Sequence, residues 1–382
     1  MCRRNAARGA LPPRASPGAG WPAALRLGLA GVALLALACG GRSEGRILTP
    51  FPSPPPTTLP VPTPTPEPRE PALLDGVPVP VSERQRLLGR LPLAVVFDNH
   101  LQARPVLGIG RAELVYEVVA EGGISRLVAL YWRNEADVLM PVRSARAYFI
   151  PWAAETDAIF VHFGGAEGGA TVDVDRNVAA YGVRQVNGLV LPAGPFRRDP
   201  SRAAPHNVRS STAGLWDWAE RMGWQGPPRL EPWLFKDDQP GRGPPAGGAP
   251  AGLLSFNFGP WNLPAYAVEW RYDVASNAYL RWQAGQPYVD GASGEQVRAK
   301  NVVVQFVRLQ VVGDAQGHLL FQVMGEGEAL VFQDGVALTA TWRKERGGAR
   351  TRYYDAQGQE IAFNRGPTWV EVLAYGSSLA YH

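Results

Sequence analysis

A stretch in which half of the residues are proline, Pro50 to Pro71, sets the first limit on what this chain can fold into. Proline lacks a backbone N–H and fixes φ, so such a run forms neither helix nor ladder and favours polyproline II. Extended at about 3.1 Å per residue, it would reach roughly 70 Å and act as a spacer. A ligand for an SH3-type domain is the competing reading. The foldable part must follow the proline run, and about 300 residues can bury one large core or two modest ones.

What precedes the spacer explains the charge of the chain. Residues 1–38 hold five arginines (Arg3, Arg4, Arg8, Arg14, Arg26) and no acid, and they close with the twelve-residue apolar run Leu27 to Ala38. That run suits the core of a signal peptide and falls short of the roughly 18 residues that span a bilayer. It ends in Ala36-Leu37-Ala38-Cys39-Gly40, which resembles the lipobox of bacterial lipoproteins. The resemblance implies a diacylglyceryl group on Cys39, cleavage before it, and a cell-membrane anchor facing the extracytoplasmic side. The formal charge of +4 would suggest a nucleic-acid partner, but removing the five arginines from 38 basic residues leaves 33 against 34 acids. The electrostatic case for nucleic acid goes with the signal. Only Cys2 and Cys39 exist, so neither a disulfide nor a cysteine metal site can brace the module.

A second composition break, Lys236 to Gly252, has almost no apolar residue larger than alanine and reads as a linker or a long surface loop. The expected organisation is a signal peptide (1–38), a lipidated cysteine and tether (39–71), an N-terminal α+β or α/β domain (72–235), the linker (236–252) and a smaller, mainly antiparallel β domain (253–382). In the first domain, Leu91–Phe97, Leu114–Val119, Arg126–Trp132 and Ala158–Phe163 read as strands. Ser211–Met222 reads as a serine-capped helix with Leu215, Trp218, Ala219 and Met222 on one face. In the second, Leu338, Ala340 and Trp342 alternate with Thr339, Thr341 and Arg343, and Asp290-Gly291, Asp334-Gly335 and Asp355 to Gly358 supply turns.

Polar residues gather at the ends of the apolar strands of the first domain, where open sheets place ligands. The candidate ligand-binding residues are Asp98, Asn99, His100, Arg104, Glu117, Arg126, Arg143, Arg146, Arg198, Arg202, His206 and Asn207. Guanidinium forks bind carboxylate or phosphate bidentately, so the arginines point to an anion. The competing explanation is structural ion pairing with Glu117, Glu121 and Asp157. Candidate catalytic residues are His162 as general base, with Glu121, and Ser144 as a nucleophile. No nucleophile elbow, phosphate-binding glycine loop or helical metal-ligand spacing accompanies them, and no cofactor or metal is expected. Six tryptophans, Trp216, Trp218, Trp224, Trp233, Trp261 and Trp270, flank the linker. They would pack between the two domains or offer a glycan-stacking surface.

Several of these runs together resemble one family. Ala94 to His100 with Ala103-Arg-Pro105, Leu114 to Glu117, Glu121 to Arg126, Pro141 to Arg146, Asp157 to His162 and Ala204 to Asn207 carry the resemblance in the first domain. Lys300 to Val304, Asp334-Gly335, Thr341-Trp342 and Gly366 to Val370 carry it in the second. The chain is similar, over about residues 73–375, to the YerB-like bacterial lipoproteins. It departs from their pattern at Met140, where glycine is expected, and at Ser125, where threonine is usual. The resemblance implies an exported lipoprotein and supplies no reaction. The expected function is a tethered module that binds an anionic envelope ligand or a partner protein; the alternative is an envelope hydrolase or transferase.

Overall fold

The computed structural model describes residues 66–191, 193–241 and 248–382. The signal peptide, Cys39 and most of the proline run therefore lie outside the described residues. Strands dominate and helices are few, the first being α1 (Val81–Leu87).

The strands of the first half are β1 (Leu93–Asp98), β2 (Leu114–Val119), β3 (Ser125–Tyr131), β4 (Ile159–His162) and β5 (Gln185–Asn187). Those of the second half are β6 (Gly248–Pro250), β7 (Leu253–Phe256), β8 (Val268–Asp273), β9 (Ala278–Gln283), β10 (Asn301–Val307), β11 (Gly325–Gln333), β12 (Val336–Lys344), β13 (Thr368–Ala374) and β14 (Leu379–Tyr381). Ten of them form one mixed sheet in the order β6-β12-β11-β10-β13-β2-β3-β1-β4-β5, and the short strand Arg352–Tyr354 adds to β12. The first half contributes a mixed set, since β1 pairs β3 antiparallel and β4 parallel. The second half is mainly antiparallel, and β7, β8, β9 and β14 form most of a separate antiparallel sheet.

The halves meet inside the large sheet. Strand β13 pairs β2 in parallel, from Thr368 opposite Leu114 to Val372 opposite Val118. Both are buried along their whole length, as β1, β3 and β4 are, and central strands covered on both faces read as continuous apolar runs. Side chains alternate, so Tyr116 and Glu117 on β2 face opposite ways. Tyr116 stacks on Trp152 of the short helix α2 (Ile150–Ala154), centroids 4.6 Å apart. Glu117 instead meets β9 of the second sheet through Arg281. The main sheet is thus covered by helix on one face and by the antiparallel sheet on the other.

Local chemistry places the remaining elements. Helix α3 (Val174–Tyr181), which no sequence signal above marked, is capped by Asp173, whose carboxylate accepts from Arg176 N at 2.8 Å. Helix α4 (Thr212–Arg221) follows the expected cap, with Ser211 Oγ accepting from Gly214 N at 3.1 Å. The β11–β12 hairpin turns on Asp334 and Gly335, both at positive φ (54° and 76°), as a two-residue hairpin turn of right-handed twist requires.

Two expectations change. The proline run was expected to form no ladder, yet at its C-terminal end Arg69–Pro71 pairs with Pro78–Pro80. Glu67 also accepts from Ser82 N at 2.6 Å. Arg69 and Glu70 keep the N–H groups that proline lacks, and an exposed two-stranded ladder tolerates proline at its edge. The segment 236–252 is likewise tied down where it is described. Lys236 lies in a short parallel ladder opposite Asn364, and Gly248–Pro250 forms the edge of the main sheet on β12. Among the tryptophans, Trp216 bonds Leu91 O within the first half, Trp233 donates to Thr351 O across the halves, Trp270 donates to Glu371 within the second half, and Trp261 covers Gly123 of the first.

Candidate functional site

Strand β1 ends in Asp98, and three segments converge there. Asp98 lies directly opposite Arg126 of β3. The segment 139–143 runs alongside, with Asp98 N donating to Pro141 O and Arg143 N to Val96 O. The segment 206–210 lies against it in turn, through Val142 N to Val208 O and the Leu139–Ser210 bridge. Residues more than a hundred positions apart thereby meet. The peptide bonds Arg104–Pro105, Met140–Pro141 and Ala204–Pro205 are all cis.

Asp98 Oδ2 faces His206 Nδ1 at 2.7 Å and Arg143 Nε at 3.2 Å, while Oδ1 accepts from His100 N at 3.0 Å. The imidazoles of His100 and His206 stack in parallel, 4.7 Å apart and 9° from coplanar. His100 Nδ1 accepts from Gln102 N at 3.2 Å. Burial, reinforced by His206, lowers the pKa of His100 and keeps its ring neutral near pH 7. With Nδ1 held by Asp98, His206 Nε2 forms no hydrogen bond among the described residues. The Nη atoms of Arg143 form none either, and its side chain is 28% exposed.

Arg126 has the most unusual environment. It is buried, and its Nη1 donates to Ser144 O at 2.6 Å, yet its Nε has no partner and it forms no ion pair among the described residues. Burial, followed by repulsion from Arg146, lowers its pKa to about 10. Arg146 is matched, its fork gripping Glu121 through Nε at 2.7 and 2.9 Å and through Nη2. Burial pushes the Glu121 carboxyl up, but these bonds outweigh it and hold its pKa below the usual value. Of the proposed structural ion pairs, this one forms; Asp157 instead pairs with Arg184 and Glu117 with Arg281.

The other candidates fall elsewhere. Asn99 points away from Asp98 into a buried polar cluster, donating to Glu117, Ser125 and Gln283 and accepting from Tyr288 and Arg104. Glu117 lies opposite Glu371 in the β2–β13 register, and Arg281 Nη2 donates to Glu117 at 2.7 Å. Burial, then the charge of Glu117, raises the Glu371 pKa well above normal, so the two carboxyls share one proton and one negative charge. Arg104 also bonds Ala265 O, Arg202 binds Ala103 O and Pro105 O, and Arg198 and Asn207 pair at 2.8 Å. His162 is fully buried, with Nδ1 on Gly164 O at 2.8 Å and Nε2 on Gln185 Oε1 at 3.0 Å, so neither nitrogen is open to a substrate. Ser144 Oγ bonds Phe163 O.

Sequence reasoning gave no site role to Arg281, Gln283, Tyr288 and Glu371 and read Asp290 only as a turn residue; all lie in the second half. Asp290 accepts from Gly108 N at 2.9 Å and Gly110 N at 2.7 Å, fixing the loop before β2. A signal existed: Glu371 interrupts the apolar run Trp369 to Ala374, and Arg281 and Gln283 follow Tyr279 at two-residue spacing, on the same face of their strand. Glu155, ringed by Lys344, Arg350 and Thr351, is a second buried charge cluster joining the halves. Among the described residues no group of three or more His, Cys, Asp or Glu is placed to hold a metal ion. Nor is any helix long and apolar enough to cross a membrane.

Residues 79–225 match the model of the N-terminal domain of the protein family of unknown function DUF3048, and residues 260–370 match that of its C-terminal domain. The chain belongs to this family. It is 29% identical over 298 residues to "Putative lipoprotein YerB" of Bacillus subtilis (strain 168), covering 77% of this chain and 84% of the relative. A crystal structure of the YerB protein from Bacillus subtilis superposes with a TM-score of 0.69 at 27% identity, over 81% of this chain and 99% of that one. The runs singled out at Asp98, Arg126, Arg143 and His206 thus lie in the N-terminal family domain, while Arg281 and Glu371 come from or border the C-terminal one.

Proposed function

We propose that the chain is a membrane-tethered envelope lipoprotein, anchored through Cys39, whose module binds an anionic ligand at the end of β1 between Arg126, Arg143 and His206. The observation that carries this reading is Arg126, a buried guanidinium with no ion pair among the described residues, whose Nε has no hydrogen-bond partner. Glu121 and Asp98 offset this buried charge only in part, and a bound anion would relieve the rest. Arg143 offers free Nη donors from a partly exposed position, and His100, whose Nδ1 accepts from Gln102 N, carries its N–H on Nε2. Phosphate and carboxylate groups both suit such a fork.

Calorimetric titration with inorganic phosphate tests this. A charge-assisted bidentate contact contributes about 1.5–3 kcal/mol, so Arg143→Gln and Arg143→Lys should each weaken binding roughly 10- to 100-fold, and added salt should weaken the native protein. Arg143 is partly exposed, so both variants should fold. No phosphate binding by the native chain, or an Arg143→Lys variant that binds as well as the native protein, would refute the reading.

One observation favours the alternative of a hydrolase or transferase, with His206 in place of His162 as the base. Asp98 orients His206 through Nδ1 and leaves Nε2 open, the arrangement of an acid–base histidine. Replacing His206 should then abolish turnover while leaving anion affinity within about tenfold, whereas Asp98→Asn should lower the rate by about 10² or more.

A further inference from the structure

The loop after β5 carries a surface that an anion site at Asp98 does not explain. Leu189 and Val190 stand side by side, 60% and 69% exposed. Behind them Phe163, Leu191 and Phe196 line a cleft of about 300 Å³, and Arg197 and Arg198 form its rim. Single exposed aliphatics are ordinary, but a contiguous apolar patch rimmed by polar groups marks an interaction site.

The loop is held in place. Gly188 N donates to His162 O at 2.9 Å, and Asn187 Oδ1 accepts from both Gly164 N and Leu189 N. Phe163 and Phe196 meet edge to face at 6.0 Å, and a Cβ at Gly188 would stand 2.6 Å from each ring, so only glycine lets them close over the backbone. Leu189 and Val190 are therefore presented outward on a fixed support. The charge beside them is unmatched: neither Arg197 nor Arg198 forms an ion pair among the described residues. Arg198 donates to Asn207 and lies 5.3 Å over the Phe163 ring, while nearby Arg209 is matched, by Asp199 at 3.2 Å.

Two aliphatic side chains flanked by two guanidinium groups that form no ion pair among the described residues match one kind of surface, an anionic phospholipid bilayer. There the apolar side chains enter the acyl boundary and the guanidiniums sit among phosphates. A soluble anion would leave Leu189 and Val190 without a role. We infer that Gly188–Leu191 and Ala193–Arg198 dock the module onto anionic phospholipid. The anion site shares none of these residues, so the inference stands or falls separately from it.

The test uses the mature chain from position 39 onward, carrying Cys39→Ser so that neither the signal peptide nor an acyl group contributes, and vesicles of phosphatidylglycerol mixed with phosphatidylcholine or of phosphatidylcholine alone. Co-sedimentation should show binding to the mixed vesicles and little to the neutral ones. Leu189→Asp with Val190→Asp should cut partitioning by about tenfold or more. Arg197→Gln, at an exposed position without a side-chain partner, should cut it about fivefold. Neither variant should alter inorganic phosphate affinity or the melting midpoint. Equal binding to both vesicle types, binding to neither, or full binding by both variants would overturn the inference. Loss of phosphate affinity in Arg143→Gln with vesicle binding intact supports it as a separate surface.

Discussion

The shared charge between Glu117 and Glu371 can be tested by moving the proton. Arg281 and Glu117 are both fully buried, so the pair depends on one negative charge being present. Since Glu371 keeps its proton in the fold, Glu371→Gln is close to isosteric: its amide can donate to Glu117 as the acid does, and its oxygen can accept from Trp270 Nε1, now 2.9 Å away. At pH 7 this variant should be at least as stable as the native protein. Glu117→Gln removes the ionised member, but Glu371 can then ionise toward Arg281, so the cost should be about 1–3 kcal/mol. Only the double variant strands Arg281 without a counter-charge, at about 3–5 kcal/mol, more than the two single effects together. The pH dependence follows from the raised Glu371 pKa. The unfolded chain releases this proton near 4.5, whereas the folded protein retains it to much higher pH. Its contribution is complete below about 4.5 and is lost as pH rises, at up to about 1.4 kcal/mol per pH unit. Urea unfolding at several pH values between 5 and 9 should therefore show Glu371→Gln gaining on the native protein as pH rises. A loss above about 2 kcal/mol at pH 7, or a stability difference that does not change with pH, would refute the shared-proton picture.

Further predictions concern the edges of the module and its anchor. A chain beginning at residue 66 should melt with the full-length mature protein, whereas one beginning at residue 72 loses the Arg69–Pro71 ladder and the Glu67–Ser82 bonds and should melt about 2 °C lower or more by calorimetry. Ser211→Ala removes the cap of α4 and should cost about 1 kcal/mol in urea unfolding. Mass spectrometry of the N-terminal peptide, after expression in a lipoprotein-competent bacterium, should find Cys39 diacylated; an unmodified cysteine would remove the anchor from the proposed function.

Local signals in the chain were enough for four strands of its first half, its main capped helix and the Asp334–Gly335 turn. Strand β2 matches the apolar run Leu114–Val119, and Ser211 caps α4 as its spacing implies. These features depend on neighbours a few residues apart, so periodicity and capping chemistry reveal them. Motif clustering also marked Asp98, Arg126, Arg143 and His206, because polar residues at strand ends have few structural reasons to gather. It could not tell Asp98 from Asn99. Adjacent residues at a strand end face opposite ways, and only the fold shows that one meets His206 while the other joins the buried carboxylates.

The tertiary structure alone decided how the halves combine. A β2–β13 pairing links residues some 250 positions apart, with no turn or spacing to announce it, and it places Glu117 against Glu371. The same pairing explains why Arg281, in an unremarked strand of the second half, becomes a buried partner to a candidate from the first. Sequence composition showed that the proline run and the 236–252 segment are poor in apolar residues larger than alanine. Whether their backbones find a ladder depends on an available sheet edge, and an edge is a property of the assembled sheet rather than of the segment.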